Sequence, residues 1–268
     1  MNSFIDMPIW PGKAPLAIDG EEQCTGRITP RDDGIERLTD ITVPTLTFFP
    51  ATSADRSPMP AAVVCPGGGY EYLSMNQEGR DIAMWLAEAG VSAFLLKYRC
   101  PKCRDAALAD AARAMRLIRA NATAWGVVPD KVGMIGFSAG AHLTARLSTL
   151  PAGAEPYAPI DAADALPCRP DFQMPIYPAY IFRDGYAHDP DFAITKDTPP
   201  AFIAQSANDT LIKSSLAYAA ALIEAGASVE LHIYPDGGHG YGMLRSHGRA
   251  ARSWPEAAER WLFNSILK

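Results

Sequence analysis

Short apolar segments alternate with helix-compatible segments along most of this chain. The candidate strands are residues 41–49, 61–65, 91–98, 132–137, 174–181, 201–205 and 229–234, and the candidate helices are residues 76–89, 104–124, 139–150, 214–225 and 255–267. Helices that repeatedly separate short buried strands favour a mostly parallel sheet covered on both faces. The sequence therefore predicts an α/β fold, a three-layer sandwich with helices on both sides of the sheet.

Two segments depart from this alternation. Residues 1–38 are rich in proline, glycine and charge, which indicates an irregular N-terminal arm laid over a domain. Residues 151–200 hold many of the prolines together with several tyrosines, and such insertions in α/β enzymes are usually lids or pocket walls. We therefore expect one domain over residues 1–268, because nothing in either segment suggests a second core.

Composition limits the classes of partner. The net charge is −6 and no block of lysines and arginines exists, which argues against nucleic acid or an anionic membrane surface as the partner. The sequence contains no run of 18 apolar residues, so no transmembrane helix is predicted. We expect a small-molecule or oligosaccharide substrate, no nucleic-acid or membrane partner and no cofactor, and a homo-oligomer is left open.

The cysteines and the N-terminus bear on the compartment. Five cysteines is an odd number, which fits a reduced compartment better than a disulfide framework. Cys100 and Cys103 form a C-x-x-C without a second ligand pair, so two ordinary thiols are favoured over a metal or redox site, and no metal is predicted. No signal peptide is visible, so a cytoplasmic location is expected, and a secreted one stays open if a leader has been removed.

A G-x-S-x-G pattern lies between a candidate strand and a candidate helix. Gly136, Ser138 and Gly140 are its fixed positions, and the pentapeptide alone is a weak signal. Its context is stronger, because a nucleophile elbow places serine on a sharp strand-to-helix turn that lifts the hydroxyl clear of the sheet. Ser138 is therefore the candidate nucleophile.

An acid and a base are expected after the last two strands. Asp209 follows the strand at 201–205, although it could instead cap the next helix. Asp197 and Asp184 are the alternative acids, since they lie in the irregular segment. His239 follows the last strand among four glycines, where no reason from core packing calls for histidine. The other histidines, His142, His188, His232 and His247, lack that setting.

The residue types match acyl-transfer chemistry. A serine hydroxyl needs an imidazole to remove its proton, and a carboxylate fixes the tautomer of that imidazole. The developing oxyanion needs backbone N–H donors. Ala139, directly after the nucleophile, is one candidate donor, and the glycine turn at 67–69 offers Gly68 and Gly69. A merely flexible turn is the alternative, whereas a phosphate-binding loop lacks its Lys-Ser/Thr.

Several motifs together resemble one family. They are Pro66–Tyr70, Glu78-Gly79, Trp85-Leu86, Leu96–Arg99, Gly136–His142, Asp209 and Gly238–Gly240, with Ile9–Gly12 and Val43–Leu46 near the N-terminus. This set resembles the alpha/beta-hydrolase esterases of the acetyl-esterase and lipase group, closest to the bacterial branch with acetylxylan and feruloyl esterases. The resemblance covers about residues 9–265. The histidine of the group's usual His-Gly-Gly-Gly is Pro66 here and does not carry over.

The resemblance implies the alpha/beta-hydrolase fold and a serine esterase of carbohydrate metabolism. We expect it to remove an acetyl or hydroxycinnamoyl group through Ser138, Asp209 and His239. An arylformamidase or other amidase on the same fold is an alternative, and so is a catalytically inactive binding protein. Tyr70 and Tyr177 are candidate substrate contacts, and Trp10 and the other tyrosines of residues 177–186 could also stack on a sugar or an aromatic acyl group, with ordinary core or lid packing as the equal alternative.

Overall fold

The computed structural model describes residues 6–17, 22–29, 31–52, 58–183, 187–243 and 249–267. The strands are β1 Asp6–Pro8, β2 Thr25–Ile28, β3 Arg37–Ile41, β4 Thr45–Phe49, β5 Met59–Cys65, β6 Leu73–Ser74, β7 Ser92–Lys97, β8 Val127–Phe137, β9 Gln173–Ile176, β10 Ala201–Ser206 and β11 Val229–Tyr234. The α-helices are α1 Asp81–Glu88, α2 Arg104–Ala120, α3 Ala122–Trp125, α4 Ala139–Ser148, α5 Ile212–Glu224 and α6 Trp254–Trp261. No described helix is both long and apolar enough to cross a lipid bilayer.

Eight strands form the main sheet, in the order β1-β4-β7-β5-β8-β9-β10-β11. The strands from β7 to β11 are all parallel, and β4 and β1 extend this sheet in antiparallel fashion at one edge. The predicted mostly parallel sheet is therefore confirmed. A second, small sheet has the order β2-β3-β6 and is antiparallel.

Helices cover both faces of the main sheet, as two neighbouring residues of β8 show. Successive side chains of a strand point to opposite faces. A Cβ placed on Gly136 would meet the Thr144 hydroxyl of α4 at 2.4 Å, so this position faces α4. The next residue, Phe137, packs against Trp254 of α6, with ring centroids 6.0 Å apart. The central sheet thus lies between two helical layers.

Several predicted element boundaries were wrong for local reasons. The strand expected over residues 41–49 is interrupted because the N–H groups of Thr42 and Val43 donate to the carbonyl of Cys24 instead of a sheet neighbour. The helix expected over residues 104–124 breaks at Asn121, between α2 and α3. The strand expected to end at residue 181 ends at Ile176, and the next residue, Tyr177, has a φ of 38°. Each change comes from backbone conformation that hydrophobic pattern does not encode.

The N-terminal segment is partly regular. Residues 1–38 were expected to be irregular, yet they include β1, β2 and the start of β3. The indole N–H of Trp10 donates to buried Asp110 at 2.8 Å, and Arg113 donates through Nε to the Ile9 carbonyl at 3.1 Å. These bonds tie the described part of the arm to α2.

Residues 151–200 are divided by β9, which is an interior strand of the main sheet. The part before β9 packs against α2 through a buried ion cluster. In it, Arg113 donates to Asp161 at 2.5 Å and to Asp164 at 2.9 Å, and Tyr157 donates to Asp164. The part after β9 begins at the carboxyl end of the parallel strands, where the candidate site forms, and returns to the opposite end before β10. A lid role is thus predicted for that part alone.

Protonation of Asp164 in acid is expected to lower the stability of the protein. Burial alone would raise the pKa of Asp164, but donors including Tyr157, the Ile160 N–H and Arg113 lower it from 3.8 to about 2. Because the pKa is depressed in the folded state, the stabilisation is complete above about pH 4 and is lost as pH falls towards 2. The melting temperature of Asp164→Asn should lie below that of wild type at pH 7, and the difference should shrink between pH 4 and 2. Asp130→Asn, which changes an exposed carboxylate, is the control, and a pH-independent difference would contradict this assignment.

Candidate active site

Ser138 occupies a strained turn between β8 and α4. Its φ of 53° and ψ of −111° lie outside the conformations that non-glycine residues usually adopt. The two flanking glycines are sterically required. A Cβ on Gly136 would meet the Gly140 carbonyl oxygen at 2.1 Å, and a Cβ on Gly140 would meet the Cys65 carbonyl oxygen at 2.0 Å. The G-x-S-x-G pattern therefore encodes a close approach of strand, helix and the neighbouring β5.

Ser138, His239 and Asp209 form a continuous hydrogen-bonded row. His239 Nε2 lies 2.8 Å from Ser138 Oγ, and His239 Nδ1 lies 2.7 Å from Asp209 Oδ2. The three residues follow β8, β11 and β10, and parallel strands end at the same edge of the sheet. This is the arrangement in which an imidazole can take the serine proton while a carboxylate orients it.

Asp209 is buried, and three donors surround its carboxylate. Oδ2 accepts from Gln205 Nε2 at 2.8 Å as well as from His239, and Oδ1 accepts from the Leu211 N–H at 2.9 Å. Burial raises the pKa of this carboxyl group, but these hydrogen bonds outweigh it and hold the pKa below its ordinary value of 3.8. Asp209 is therefore ionised at neutral pH, as an orienting carboxylate must be.

The loop that carries His239 is held by residues next to Asp209. We call residues 235–242 the histidine loop. The Gly238 N–H donates to Asn208 Oδ1 at 2.8 Å, and Ser206 Oγ donates to the Gly238 carbonyl at 3.0 Å. Sequence reasoning missed Ser206 and Asn208, and their only signal was their position beside the candidate acid.

Within the described residues, none of the alternative acids and bases of the sequence makes a hydrogen bond to the Ser138 hydroxyl, whose partner is His239. Asp197 precedes β10 and so lies at the opposite end of the sheet, near Arg169, which donates to its carbonyl.

The alternative histidines have other surroundings. His232 lies within β11 with its Nε2 2.7 Å from Glu230. His142 is buried on α4, where burial, Arg146 and Arg104 lower its pKa to about 3. His188 forms a bridge with Phe182, and Asp184 and His247 lie outside the described residues.

Residues 67–69, here called the glycine loop, run beside the elbow because β5 pairs with β8. The peptide planes of this loop are fixed by their carbonyls. Gly67 C=O accepts from the Ser74 N–H at 2.9 Å, and Gly68 C=O accepts from the Glu71 N–H at 3.0 Å. In a trans peptide the N–H points away from the C=O. The N–H groups of Gly68 and Gly69 are therefore directed away from these partners.

Ala139 is the first residue of α4. Its N–H has no partner within the helix, since the first N–H groups of any helix lack one, and it lies at the positive end of the helix dipole. Gly67 lies against the nucleophile, because a Cβ added to it would come within 3.0 Å of Ser138 Cβ. The three predicted donors thus belong to two segments that meet at Ser138.

The two predicted substrate contacts are buried. Tyr70 is 2% exposed, and its hydroxyl lies 2.8 Å from His142 Nδ1. Tyr177 is 0% exposed and packs edge-on beneath His239, with ring centroids 5.2 Å apart. Both rings therefore lie behind the surface of the site, and the core-packing alternative describes them better than direct contact with substrate.

Tyr180, one of the tyrosines that the sequence left as possible substrate contacts, is an exposed aromatic residue near the glycine loop. It is 40% exposed and has a φ of 60°. Arg104 stacks over its ring, with Cζ 4.4 Å from the centroid, and its hydroxyl would lie 3.7 Å from a Cβ on Gly69.

Gly68→Ala is expected to impair the site more than Gly69→Ala. A Cβ on Gly68 would meet the Tyr72 carbonyl oxygen at 1.9 Å, and its φ is 142°. Gly69 has a φ of 69°, and a Cβ there would only make an ordinary van der Waals contact with the Tyr180 hydroxyl at 3.7 Å, so alanine brings conformational strain without a clash. We expect Gly68→Ala to lower kcat for p-nitrophenyl acetate by about 100-fold, since loss of one oxyanion donor has that effect. Gly12→Ala, with nothing within 4 Å, is the control, and equal losses for Gly68→Ala and Gly69→Ala would contradict the steric argument.

Two family models match the chain. One is described as BD-FAE and matches residues 48–156, and the other is described as alpha/beta hydrolase fold and matches residues 182–243. Among curated proteins, an acetylxylan esterase of Xylanibacter ruminicola is 31% identical over 224 residues, which cover 73% of this chain and 43% of that protein. Endo-1,4-beta-xylanase B of Butyrivibrio fibrisolvens is 30% identical over 66% of this chain and 32% of that protein. The chain thus spans less than half the length of these curated relatives.

A solved structure matches nearly the whole chain. The acetyl ester-xyloside bifunctional hydrolase from Caldicellulosiruptor lactoaceticus is 29% identical, with a TM-score of 0.79, over 97% of this chain and 96% of that chain. An alpha/beta hydrolase from a Medee basin deep-sea metagenome is 28% identical, with a TM-score of 0.68, over 84% of this chain and 93% of that chain. The predicted fold and the predicted resemblance to this group of esterases are therefore confirmed.

Proposed function

We propose that this alpha/beta hydrolase is a serine carboxylic-ester hydrolase that removes a small acyl group, acetyl or hydroxycinnamoyl, from a carbohydrate. The observation that carries the proposal is the hydrogen-bonded row from Ser138 through His239 to Asp209, which starts at a strained strand-to-helix turn. A serine held in this way serves acyl transfer, and the relatives named above include an acetylxylan esterase and an acetyl ester-xyloside bifunctional hydrolase.

The reaction proceeds in two halves. Ser138 Oγ attacks the ester carbonyl as its proton passes to His239 Nε2, and the C=O electron pair moves onto the carbonyl oxygen. The N–H groups of Ala139, Gly68 and Gly69 stabilise that oxyanion. The intermediate then collapses, the C–O bond to the alcohol breaks, and His239 returns the proton to the leaving oxygen. This step leaves an acyl group on Ser138 and a free hydroxyl on the carbohydrate.

Water completes the cycle by the same chemistry. His239 Nε2 removes a proton from a water molecule, whose oxygen attacks the acyl-enzyme carbonyl. Ser138 leaves with the proton from His239, and the product is the free acid, acetate or a hydroxycinnamate. Asp209 stays ionised throughout, and its low pKa allows it to stabilise the imidazolium formed in each half.

The carbohydrate part of the proposal rests on the relatives, since the row itself attacks many esters. A panel of p-nitrophenyl acetate, acetylated xylo-oligosaccharide, methyl ferulate and formyl-kynurenine separates the candidates. We expect kcat/KM to be highest on acetylated xylo-oligosaccharide or on methyl ferulate. Preference for formyl-kynurenine would assign the arylformamidase alternative. Failure to turn over any ester or to react with an organophosphonate would assign the inactive binding protein.

A further inference from the structure

We propose that Glu78 and Tyr177 are positioning residues that join the glycine loop to the histidine loop and thereby set the rate of the chemical step. This inference rests on the function proposed above. Glu78 lies in a single π-helical turn, Asn76–Arg80, directly before α1, and Tyr177 follows β9. The sequence assigned neither residue this role.

An unbroken chain of hydrogen bonds runs between the two loops. The Gly67 N–H donates to Glu78 Oε2 at 2.8 Å, and the Tyr177 hydroxyl donates to Glu78 Oε1 at 2.8 Å. The Gly242 N–H then donates to the Tyr177 oxygen at 3.0 Å. The chain therefore begins in the glycine loop and ends at the last residue of the histidine loop.

The middle of this chain is fully removed from solvent. Glu78 is 3% exposed and Tyr177 is 0% exposed. Burying a carboxylate is costly, and it is tolerated where donors satisfy both oxygens, as here. Burial, followed by the nearby charge of Glu78, raises the pKa of Tyr177 well above its usual value, so the hydroxyl keeps the proton that it donates. The polarity of each bond is thus fixed.

Glu78 and the Phe137 carbonyl together leave no room for a side chain at residue 67. A Cβ on Gly67 would lie 2.8 Å from Glu78 Oε2 and 2.5 Å from the Phe137 carbonyl oxygen. With its N–H bonded to Glu78 and its carbonyl bonded to Ser74, Gly67 is fixed on both sides. The orientation of the following peptide, which carries the Gly68 N–H, is fixed as a result.

Tyr177 acts at the other end, on the base. Its ring packs edge-on against His239 at 5.2 Å and against Tyr241 at 4.4 Å. A shift of this ring would therefore move the imidazole relative to Ser138. Because Glu78 and Tyr177 share a hydrogen bond, a change at one residue is transmitted to both the oxyanion donors and the base. Reacting groups displaced by about 1 Å lose substantial rate.

The test uses Tyr177→Phe, Glu78→Gln and the double variant, with kcat and KM measured on p-nitrophenyl acetate. We expect each single variant to lower kcat by about 10-fold while KM changes by less than about 2-fold, the pattern of an interaction made in the transition state. The loss of kcat in the double variant should be close to the larger of the two single losses, because both changes break the same chain of hydrogen bonds.

A trifluoromethyl ketone adds a measurement that a merely structural role would not change. Its adduct with Ser138 carries an oxyanion, so its inhibition constant should rise by the same factor as kcat falls. The matched control is Tyr218→Phe, which removes an equally buried hydroxyl bonded to Gln173 Oε1 at 2.8 Å. This control should lower the melting temperature but keep the kcat of wild type.

The outcomes separate this inference from the proposed function. An active wild type whose Tyr177→Phe and Glu78→Gln variants keep kcat and inhibitor affinity overturns the inference alone. Losses in the two single variants that multiply in the double variant also overturn it. A wild type that turns over no ester overturns the proposed function and this inference together. Tyr177→Phe keeps the test valid if Glu78→Gln does not fold, since it leaves the carboxylate in place.

Discussion

Ser138→Ala is expected to lower kcat for ester hydrolysis by on the order of 10⁶-fold, because removal of the nucleophile eliminates the acyl-enzyme route. Alanine keeps the Cβ of serine, so the backbone at φ 53° and ψ −111° experiences no new strain. The fold and the melting temperature should therefore be close to those of wild type. Activity is measured on p-nitrophenyl acetate and on the preferred substrate of the panel.

The control for this variant lies on α4, the helix that directly follows Ser138. Ser148 donates through Oγ to the Thr144 carbonyl at 2.8 Å and is fully buried, so Ser148→Ala removes a serine hydroxyl without touching the site. It should keep the kcat of wild type. Mass spectrometry after treatment with an organophosphonate gives a second measurement, in which wild type and Ser148→Ala gain one adduct and Ser138→Ala gains none. Residual hydrolysis near the wild-type rate in Ser138→Ala would remove Ser138 from the mechanism.

Asp209→Asn is expected to lower kcat by about 10⁴-fold with little change in KM. Three donors, His239 Nδ1, Gln205 Nε2 and the Leu211 N–H, converge on this carboxylate. An amide has one oxygen to accept with, so its NH2 group faces the Leu211 N–H in one orientation and both His239 and Gln205 in the other. The orientation that satisfies Leu211 presents NH2 to His239, which forces the imidazole to carry its proton on Nε2.

An imidazole protonated on Nε2 cannot accept the proton of Ser138, which is the reason for the large loss. Asp197→Asn is the matched control, because Asp197 was an alternative acid on sequence grounds and lies at the other end of β10. It should keep wild-type kcat. A loss in Asp197→Asn equal to that in Asp209→Asn would contradict the assignment of the acid.

The order of the chemical groups along the chain was predictable. A glycine turn after an early strand, serine on an elbow, an acid after the next-to-last strand and histidine after the last are local signals, each visible in a few residues. They were sufficient because parallel strands end at one edge of the sheet, so residues that follow different strands meet there. The main-sheet strands from residue 59 onwards were located for the same local reason, through their apolar runs, whereas the two-residue β6 of the small sheet was not predicted.

The positions of Tyr70 and Tyr177 were not predictable. Both are aromatic residues next to the site, and sequence pattern cannot distinguish a ring that faces substrate from one that packs behind the loop. The backbone at both positions has positive φ, 64° for Tyr70 and 38° for Tyr177, a conformation that the hydrophobic pattern does not encode. Tyr180 also has a positive φ, of 60°, yet it is 40% exposed, so its position too depends on the tertiary structure.

By itself the sequence determined which groups are present, where each follows its strand, and which glycines allow the close approaches at Ser138. Tertiary structure alone decided which groups meet. Ser138 and His239 are 101 residues apart and Glu78 and Tyr177 are 99 residues apart, yet each pair is joined by one hydrogen bond of 2.8 Å. Hydrophobic periodicity and turn propensity act over a few residues, whereas these bonds depend on strand order, sheet register and the burial of both partners. The sequence thus predicted the serine, aspartate and histidine that the sheet brings into one hydrogen-bonded row, and the packed sheet supplied the buried Glu78–Tyr177 link behind them.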